Sequence, residues 1–364
     1  MGVDILYYRQ SAIEKVSDIQ YPGMSLLSLG FDFIKAGVVP IDRTNTIKSP
    51  VRVKSVFPIP EMRLMAKTFE TVCNERAIFI LNQSDRHLCD IYVMWSGGID
   101  STLALVSLLK NSREDQKKRL IIIMSEDSIR ENPEFFSKHI RGKLRVQTRL
   151  IFPSVIGSKD ILVSGEHNDQ VFGISIVGKL IIRYGNDIIH ASYSRDVFYS
   201  HFRDIIGDIP ANRYLDLLER LMRAAPIPIR SNFEFAWWYN FALWWQAVYM
   251  RTFTHITPRN ASLITSEYAR EYYLPFYNTE DFQLWSLNNP DKRIRDTWKS
   301  YKWVCKDIIY EYTKDADYRD NKVKGGSLIK FLRVNDAFNF LDSDFRLYRE
   351  LDPSEYYDPE NDFK

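Results

Sequence analysis

The architecture of the chain follows from IYVMWSGGIDSTLALVSLL, which occupies residues 91–109. The run begins with the apolar residues of a buried strand and ends with a segment typical of a helix, and the two glycines Gly97 and Gly98 lie between them. A second apolar run, LIIIM at residues 120–124, predicts a strand of the kind found in parallel sheets. Strand, loop, helix and strand together form a βαβ unit.

Extended and helical patterns alternate on both sides of this unit. The predicted elements are a helix from Glu61 to about Asn74, a strand at 77–81, a helix at 133–140, and strands at 146–152 and 160–163. This alternation predicts an α/β fold with a doubly wound, mostly parallel sheet. From Asp196 onward the pattern is helical, including 213–224 and 233–251, so we expect a mainly α-helical C-terminal half.

The aromatic segment FEFAWWYNFALWW, residues 233–245, is apolar on nearly every side of its predicted helix. Such a helix is either part of a core or a stacking surface for a flat substrate such as a nucleobase. We expect residues 1–60 to be short strands and turns of unknown role. We expect 61–335 to be the main domain, and 336–364 an acidic, loosely packed tail.

Composition excludes several classes of protein. The chain has 364 residues with 49 basic and 47 acidic side chains, and the net charge of +2 gives no general reason to expect nucleic acid or an anionic membrane as partner. The three cysteines, Cys73, Cys89 and Cys305, have neither disulfide-framework nor zinc-site spacing. No apolar run is long enough for a membrane span. These features predict a soluble protein of a reducing compartment, the cytoplasm.

The glycine loop has the composition of a phosphate-binding site. Two glycines after a buried strand let the backbone curl with its N–H groups turned inward, and the following helix adds the positive end of its dipole. Further hydroxyl donors could come from Ser96, Ser101 and Thr102. Asp100 suits an anion site if Mg²⁺ bridges it to the phosphates. The alternative is a plain strand-to-helix turn in which Asp100 and Ser101 cap the helix.

SGGIDS at residues 96–101 resembles the S-G-G-x-D-S signature of the N-type ATP pyrophosphatases, or PP-loop superfamily. That superfamily includes asparagine, β-lactam, argininosuccinate, GMP and NAD synthetases and several enzymes that modify tRNA or deazaguanine bases. All of them split ATP between the α and β phosphates. The resemblance implies ATP and Mg²⁺ as ligands and the fold of the adenine nucleotide α-hydrolases.

SGEHNDQVFG at residues 164–173 resembles the S-G-E-G-x-D-E-x-F-G-G segment of asparagine synthetase and β-lactam synthetase. In that family the glutamate assists proton transfer or positioning, and the aspartate joins the aspartate of the first loop in binding Mg²⁺. The resemblance therefore implies a catalytic role for Glu166 and a metal-binding role for Asp100 and Asp169. His167 stands where the family has glycine, and Gln170 where it has a second acid. A polar surface turn is the alternative.

Two later segments resemble the same family. YLPFYNTE at 273–280 is similar to its V-P-F-L-D stretch, and DYRDNKVKGG at 317–326 is similar to its late R-x-K-x-G segment, whose lysine neutralises charge as pyrophosphate forms. We expect Lys322 to have that role in preference to Lys324, unless both are solvated loop lysines. By the same resemblance, the adenosine pocket is expected to include Met94, Met124, Ser164 and Gly165. The methionines could equally be plain core residues.

The resemblance, which covers roughly residues 60–335, implies an AMP-forming ligase. ATP would adenylate a small-molecule carboxylate, and an amine would then displace AMP to give an amide. Gly2 follows Met1 where glutamine-dependent asparagine synthetase has its catalytic cysteine, so we expect free ammonia, a substrate amine or a separate ammonia-supplying protein as the nitrogen source. A homo-oligomer is possible. The alternatives are adenylation of a nucleobase or nucleotide, with nucleotide or nucleic acid as partner, and non-catalytic nucleotide binding.

Overall fold

The chain divides into two compact units. A computed structural model describes residues 3–9, 40–46, 52–173, 175–256, 258–323 and 338–350. The first unit consists of residues 1–61, 173–254 and 334–364, and the second of residues 62–172 and 255–333. Residues 173–254, which fall within the range 61–335 expected to be the main domain, belong to the first unit.

The described residues contain strands of both units. In chain order they are β1 (Ile5–Tyr8), β2 (Ile91–Met94), β3 (Leu120–Met124), β4 (Arg145–Thr148), β5 (Ile161–Val163), β6 (Phe340–Asp342) and β7 (Leu347–Tyr348). The strands predicted around residues 91–95, 120–124, 146–152 and 160–163 are thus confirmed, with β4 ending earlier than expected.

Helices make up most of the remaining described structure. The α-helices are α1 (Phe69–His87), α2 (Ile99–Asn111), α3 (Glu114–Lys117), α4 (Glu126–Glu131), α5 (Pro133–Phe135), α6 (Phe152–Val155), α7 (Asn168–Phe172), α8 (Ile176–Tyr184), α9 (Arg195–Ile206), α10 (Asp208–Arg223), α11 (Asn232–Met250), α12 (Ser266–Glu271), α13 (Glu280–Asn288), α14 (Trp303–Thr313) and α15 (Ala316–Asn321). A π-helical turn, Phe136–Ile140, continues α5, so the predicted helix at 133–140 is confirmed. None of the described helices combines the length and apolar character that crossing a membrane requires.

The second unit is built on a parallel sheet flanked by helices. Its strand order is β4-β3-β2-β5, and every neighbouring pair is parallel. All five residues of β3 are buried, as its continuous apolar sequence predicts. In the register of the sheet, Val93 of β2 lies beside Ile122 of β3 and Val163 of β5.

The strand order brings two loops of the second unit together. The chain passes from β2 to β3 and β4 on one side of β2, and then forms β5 on its other side. The loops that leave the carboxyl ends of β2 and β5 are therefore neighbours, at the point where the order of the strands reverses. Open parallel sheets bind ligands outside such points, which directs attention to residues 95–98 and 164–167.

The strand predicted at residues 77–81 is wrong, because these residues lie within α1. Thr68 caps this helix by accepting a hydrogen bond from the Thr71 N–H. Within the apolar run AIFIL, Ala77, Ile80 and Leu81 are buried, whereas Ile78 and Phe79 are 44% and 43% exposed. Burial at helical spacing, which a continuous apolar run conceals, explains the error.

Helix α2, which follows the glycine loop, is buried along most of its length. Residues 101–109 are all buried, and α2 packs against both α1 and α14. A helix covered on two sides needs apolar residues around most of its circumference, as this sequence has. The start of α2 therefore lies in a fixed position beside the sheet.

The first unit has an antiparallel sheet and the long helices. β1 pairs with β6, and β6 pairs with β7, so the beginning of the expected loose tail belongs to a sheet; residues 351–364 lie outside the described range. The helices predicted at 213–224 and 233–251 are confirmed as α10 and α11. Every residue of α11 except Glu234 is buried, which makes its aromatic residues core and contradicts the stacking-surface alternative.

Candidate functional site

The loop between β2 and α2 requires glycine at its first turn. Gly97 has φ +77°, and a Cβ atom there would lie 2.4 Å from the Ser128 carbonyl oxygen. Gly98 is the N-cap of α2 and, as a glycine, has no side chain with which to cap the helix. Because the first N–H groups of a helix have no intrahelical acceptor, the start of α2 presents uncapped donors and the positive end of its dipole.

Hydroxyl groups hold the loop in a closed shape. The Ser101 Oγ atom accepts a hydrogen bond from the Ser96 N–H at 3.0 Å and lies 2.9 Å from Ser96 Oγ. Ser96 Oγ in turn accepts a bond from the Gly98 N–H at 3.3 Å. Thr102 Oγ1 accepts a bond from Trp95 Nε1 at 3.1 Å and is buried, so Thr102 fixes the loop to the end of β2.

The turn after β5 packs against this loop. A Cβ atom on Gly165 would lie 2.8 Å from Ser101 N and 3.0 Å from the Asp100 carbonyl carbon, so only glycine allows this approach. Ser164 is buried, and its Oγ atom has no hydrogen-bond partner among the described residues. The two sequence segments that resemble the ligase family are thus in direct contact, and an orphaned hydroxyl lies beside them.

Two carboxylates share one buried ammonium beside the loop. Lys302 Nζ lies 2.5 Å from Asp100 Oδ1 and 2.7 Å from Asp169 Oδ1, and the lysine side chain is 1% exposed. Asn168 Nδ2 donates to the same Asp100 oxygen at 2.6 Å, and the Tyr301 hydroxyl donates to Asp169 Oδ1 at 3.3 Å. Asp100 is therefore turned toward this cluster, which argues against its proposed role as a helix cap.

Lys302 was not expected from the sequence. Burial lowers the pKa of its ammonium, but the charges and hydrogen bonds of Asp100 and Asp169 outweigh burial and raise that pKa above its usual value. Its backbone has φ +58° and ψ 31° at the N-cap of α14, a left-handed conformation that costs a non-glycine residue roughly 1–2 kcal/mol. The ion pairs offset that strain, so the lysine is charged and fixed in place.

His167 and Gln170, the two departures from the family pattern, are both buried. His167 has φ +75° and is 1% exposed. Glycine, which the resembled family has at the matching position, adopts this conformation without strain, whereas the histidine here adopts it at some cost. Gln170 lies within α7 and is also buried. The segment is therefore not the polar surface turn that was the alternative.

The segment at residues 273–280 supports the loop from another direction. The Tyr277 hydroxyl donates to the Asp100 carbonyl oxygen at 2.8 Å, and burial raises the pKa of that hydroxyl. Arg76 of α1 donates to the carbonyl oxygens of Pro275 and Phe276 at 3.0 Å and 3.2 Å. This part of the family resemblance consequently lies at the start of α2.

Lys322 lies next to the glycine loop but is paired. Its Nζ atom is 2.6 Å from Glu131 Oε1 and donates to the Glu131 carbonyl at 3.0 Å. Glu131 lies against Gly97, because a Cβ atom on Gly97 would be 2.8 Å from Glu131 Cβ. The Tyr318 hydroxyl donates to the Gly97 carbonyl at 3.4 Å. Lys324, the other predicted lysine, lies outside the described residues.

The remaining predicted residues lie at the carboxyl edge of the sheet. Met94 and Met124 are the last residues of β2 and β3 and are largely buried. Glu166 lies in the turn after β5 and is partly exposed. Their contact with adenosine and the catalytic role of Glu166 stay predictions.

Comparisons with known proteins add no relative. No protein-family model matches the chain, and a search of curated proteins finds no match.

The carboxylates of Asp100 and Asp169 could hold Mg²⁺ only together with ligands that the described part of the chain does not supply. Asp100 and Asp169 side chains are 26% and 34% exposed, so solvent reaches both carboxylates. Among the described residues no group of three His, Cys, Asp or Glu side chains could hold a metal ion. Mg²⁺ is commonly bound by one or two carboxylates with phosphate oxygens and water. The two aspartates therefore fit a magnesium ion that is also held by phosphates.

Proposed function

We propose that the chain is an AMP-forming, ATP-dependent ligase related to the synthetase domain of asparagine synthetase. The observation that carries the proposal is the contact between the Gly165 turn and the Ser96–Thr102 loop. This contact joins the two segments that resemble the family and sets Asp100 beside Asp169. The strand order already makes the two turns neighbours, and the proposal adds a reason for the paired carboxylates where they meet.

The strand order supports the doubly wound sheet of the adenine nucleotide α-hydrolases. Crossover connections between parallel strands are nearly always right-handed. Because the chain builds outward from β2 in both directions, right-handed connections put the crossovers on opposite faces of the sheet. The nucleotide would then bind across the carboxyl ends of β2, β3 and β5.

In this proposal each residue group has a defined role. The N–H groups at the start of α2 and the hydroxyl groups of Ser96 and Ser101 hold the β and γ phosphates of ATP. Ser164 and Gly165, with Met94 and Met124, bind adenosine. Lys322 and Lys324 neutralise the negative charge of pyrophosphate. For this role the Lys322 ammonium must leave the Glu131 carboxylate and bind phosphate oxygens instead.

The reaction has two steps. A substrate carboxylate oxygen attacks the α phosphorus, the bond to the β-phosphate oxygen breaks, and pyrophosphate leaves. An amine nitrogen then attacks the acyl carbon, AMP leaves, and Glu166 accepts the proton that the nitrogen loses. When bound, Mg²⁺ supplies positive charge for the phosphates next to Asp100 and Asp169.

The three cysteines form no disulfide, which suits a reducing compartment, and we propose the cytoplasm.

Product analysis tests this proposal. The protein is incubated with ATP and Mg²⁺ against pools of amino acids, dicarboxylates and nucleotides, and pyrophosphate and AMP are quantified. We expect equal amounts of both products with one pool. Asp100→Asn should lower the rate by about 100-fold, because it removes one of the two carboxylates that would hold Mg²⁺ against the phosphates. Asp115→Asn, an exposed aspartate paired with Arg113, is the matched control and should behave as wild type.

The products separate the alternatives. ADP in place of AMP contradicts the proposal. ATP binding without turnover across all pools favours the non-catalytic nucleotide-binding protein. Turnover with nucleotides alone makes a nucleobase or nucleotide the acceptor.

A further inference from the structure

The ammonium of Lys302 stands between the two carboxylates of the candidate metal site. Its nitrogen lies 2.5 Å and 2.7 Å from one oxygen of each aspartate. Mg²⁺ binds carboxylate oxygens at about 2.0–2.1 Å, so an ammonium and a bridging metal ion would fill the same gap. The same two oxygens cannot serve both cations at once.

Several contacts hold Lys302 in this position. Its backbone N–H donates to the Arg293 carbonyl at 3.1 Å, and its own carbonyl accepts a bond from the Lys306 N–H at 3.1 Å. The ammonium lies 5.2 Å from the centre of the Tyr301 ring. Withdrawing this side chain would leave a buried ammonium without its carboxylates, which is strongly unfavourable.

We propose that the Lys302 ammonium occupies the cation position between Asp100 and Asp169, so that this carboxylate pair binds no divalent metal by itself. Mg²⁺ would enter only on the phosphates of a nucleotide, through carboxylate oxygens that Lys302 does not hold. Counted over the described ion pairs alone, one ammonium and two carboxylates give a net charge of about −1, too little to retain a divalent ion without phosphate. The inference does not depend on the proposed reaction, because it concerns the protein without nucleotide.

Removal of the ammonium should create a metal site. Lys302→Met keeps an unbranched side chain of similar length and removes the ammonium that Asp100 and Asp169 share, so the two carboxylates repel each other. A divalent ion would relieve that repulsion. Lys306→Met is the matched control, since Lys306 is also buried on the same helix but donates to the carbonyls of Lys299 and Lys322.

The experiment is a titration of the full chain with Mn²⁺, without nucleotide, in which electron paramagnetic resonance measures free Mn²⁺. We expect no saturable site in wild type or Lys306→Met. Lys302→Met should bind one Mn²⁺ in a saturable site, at least about tenfold more tightly than any residual binding to wild type, because affinity follows ligand charge. The double variant Lys302→Met/Asp169→Asn should lose this site. Mn²⁺ should also raise the melting temperature of Lys302→Met and leave that of wild type unchanged.

Two results would overturn the inference. One is a saturable Mn²⁺ site in wild type that Asp100→Asn removes, since Lys302 would then yield to the metal. The other is a folded Lys302→Met that binds no more Mn²⁺ than wild type. If Lys302→Met does not fold, the wild-type titration can still overturn the inference, because a saturable Mn²⁺ site in wild type contradicts it without any variant at the lysine.

Discussion

Gly165→Ala is the sharpest test of the contact between the two loops. The new methyl group would lie 2.8 Å from Ser101 N, and ordinary contact begins at 3.4 Å, so the turn must retreat by about 0.6 Å. The atoms that it meets belong to the backbone of residues 100 and 101 and cannot rotate away. Overpacking of this kind costs about 1–3 kcal/mol. The retreat would also move Asp169 away from Asp100.

Thermal unfolding and ATP binding measure the two consequences. The melting temperature should fall by about 2–12 °C, given 2–4 °C per kcal/mol for a unit of this size. ATP affinity, measured by calorimetry with Mg²⁺ present, should fall with it. Gly98→Ala is the control for the melting temperature alone, because its methyl group would meet the Ser96 hydroxyl at 3.3 Å and no other atom as closely. A Gly165→Ala protein with wild-type stability and wild-type ATP affinity would refute the contact.

Three further predictions concern stability and reactivity. His167→Gly should be more stable than His167→Ala by about 1 kcal/mol in denaturant titrations, because both lose the side chain but only glycine relaxes at φ +75°; equal stabilities would contradict the conformation. Burial, aided by Lys179 and Arg183, lowers the pKa of His201 from 6.5 to about 4. Between pH 6.5 and about pH 4, His201 therefore binds a proton in the unfolded state but not in the folded state. Stability should be full above pH 6.5 and fall by about 2 kcal/mol at pH 5, and His201→Gln should flatten this dependence; an unchanged slope would exclude His201 as its source. Burial raises the pKa of all three thiols, Cys73, Cys89 and Cys305, so an alkylating reagent should label none of them rapidly before unfolding; rapid labelling of Cys305 in native protein would contradict its burial.

Local patterns predicted the part of the sheet around the glycine loop. β2, the loop, α2 and β3 follow directly from the order of apolar runs and glycines, because each element is specified by neighbouring residues. The strand predicted at 77–81 failed because AIFIL is continuous in sequence, and only the three-dimensional burial of Ala77, Ile80 and Leu81 reveals a helical face.

The motif resemblance predicted the carboxylates of the candidate site, and the structure brings Asp100 and Asp169 together. Lys302 could not be predicted in the same way. It lies far along the chain from both aspartates, in a segment without a motif, and its left-handed backbone leaves no mark on the sequence. Its importance comes from tertiary packing of α14 against α2, which no local pattern encodes.

For Lys322 the sequence predicted the neighbourhood of the side chain but not its partner. The resemblance of residues 317–326 predicted Lys322 near the glycine loop, and the structure pairs it with Glu131, which lies against Gly97. Its ion pair with Glu131 was not foreseen, because the acidic residue belongs to α4, which no family motif includes. Composition likewise left open whether the aromatic residues of α11 form core or a stacking surface, and their burial in the structure shows that they form core.

The pairing of β1 with β6 has a consequence for biosynthesis. Ile5 lies opposite Asp342, so β1 leaves the ribosome long before its partner strand exists. All four residues of β1 are buried in the finished protein, and until β6 arrives they present an apolar edge that other chains can join. A nascent chain that stops before residue 340 would keep that edge exposed to chaperones and proteases. The pairing of β1 with β6 can therefore form only after residues 340–342 have been made and have left the ribosome.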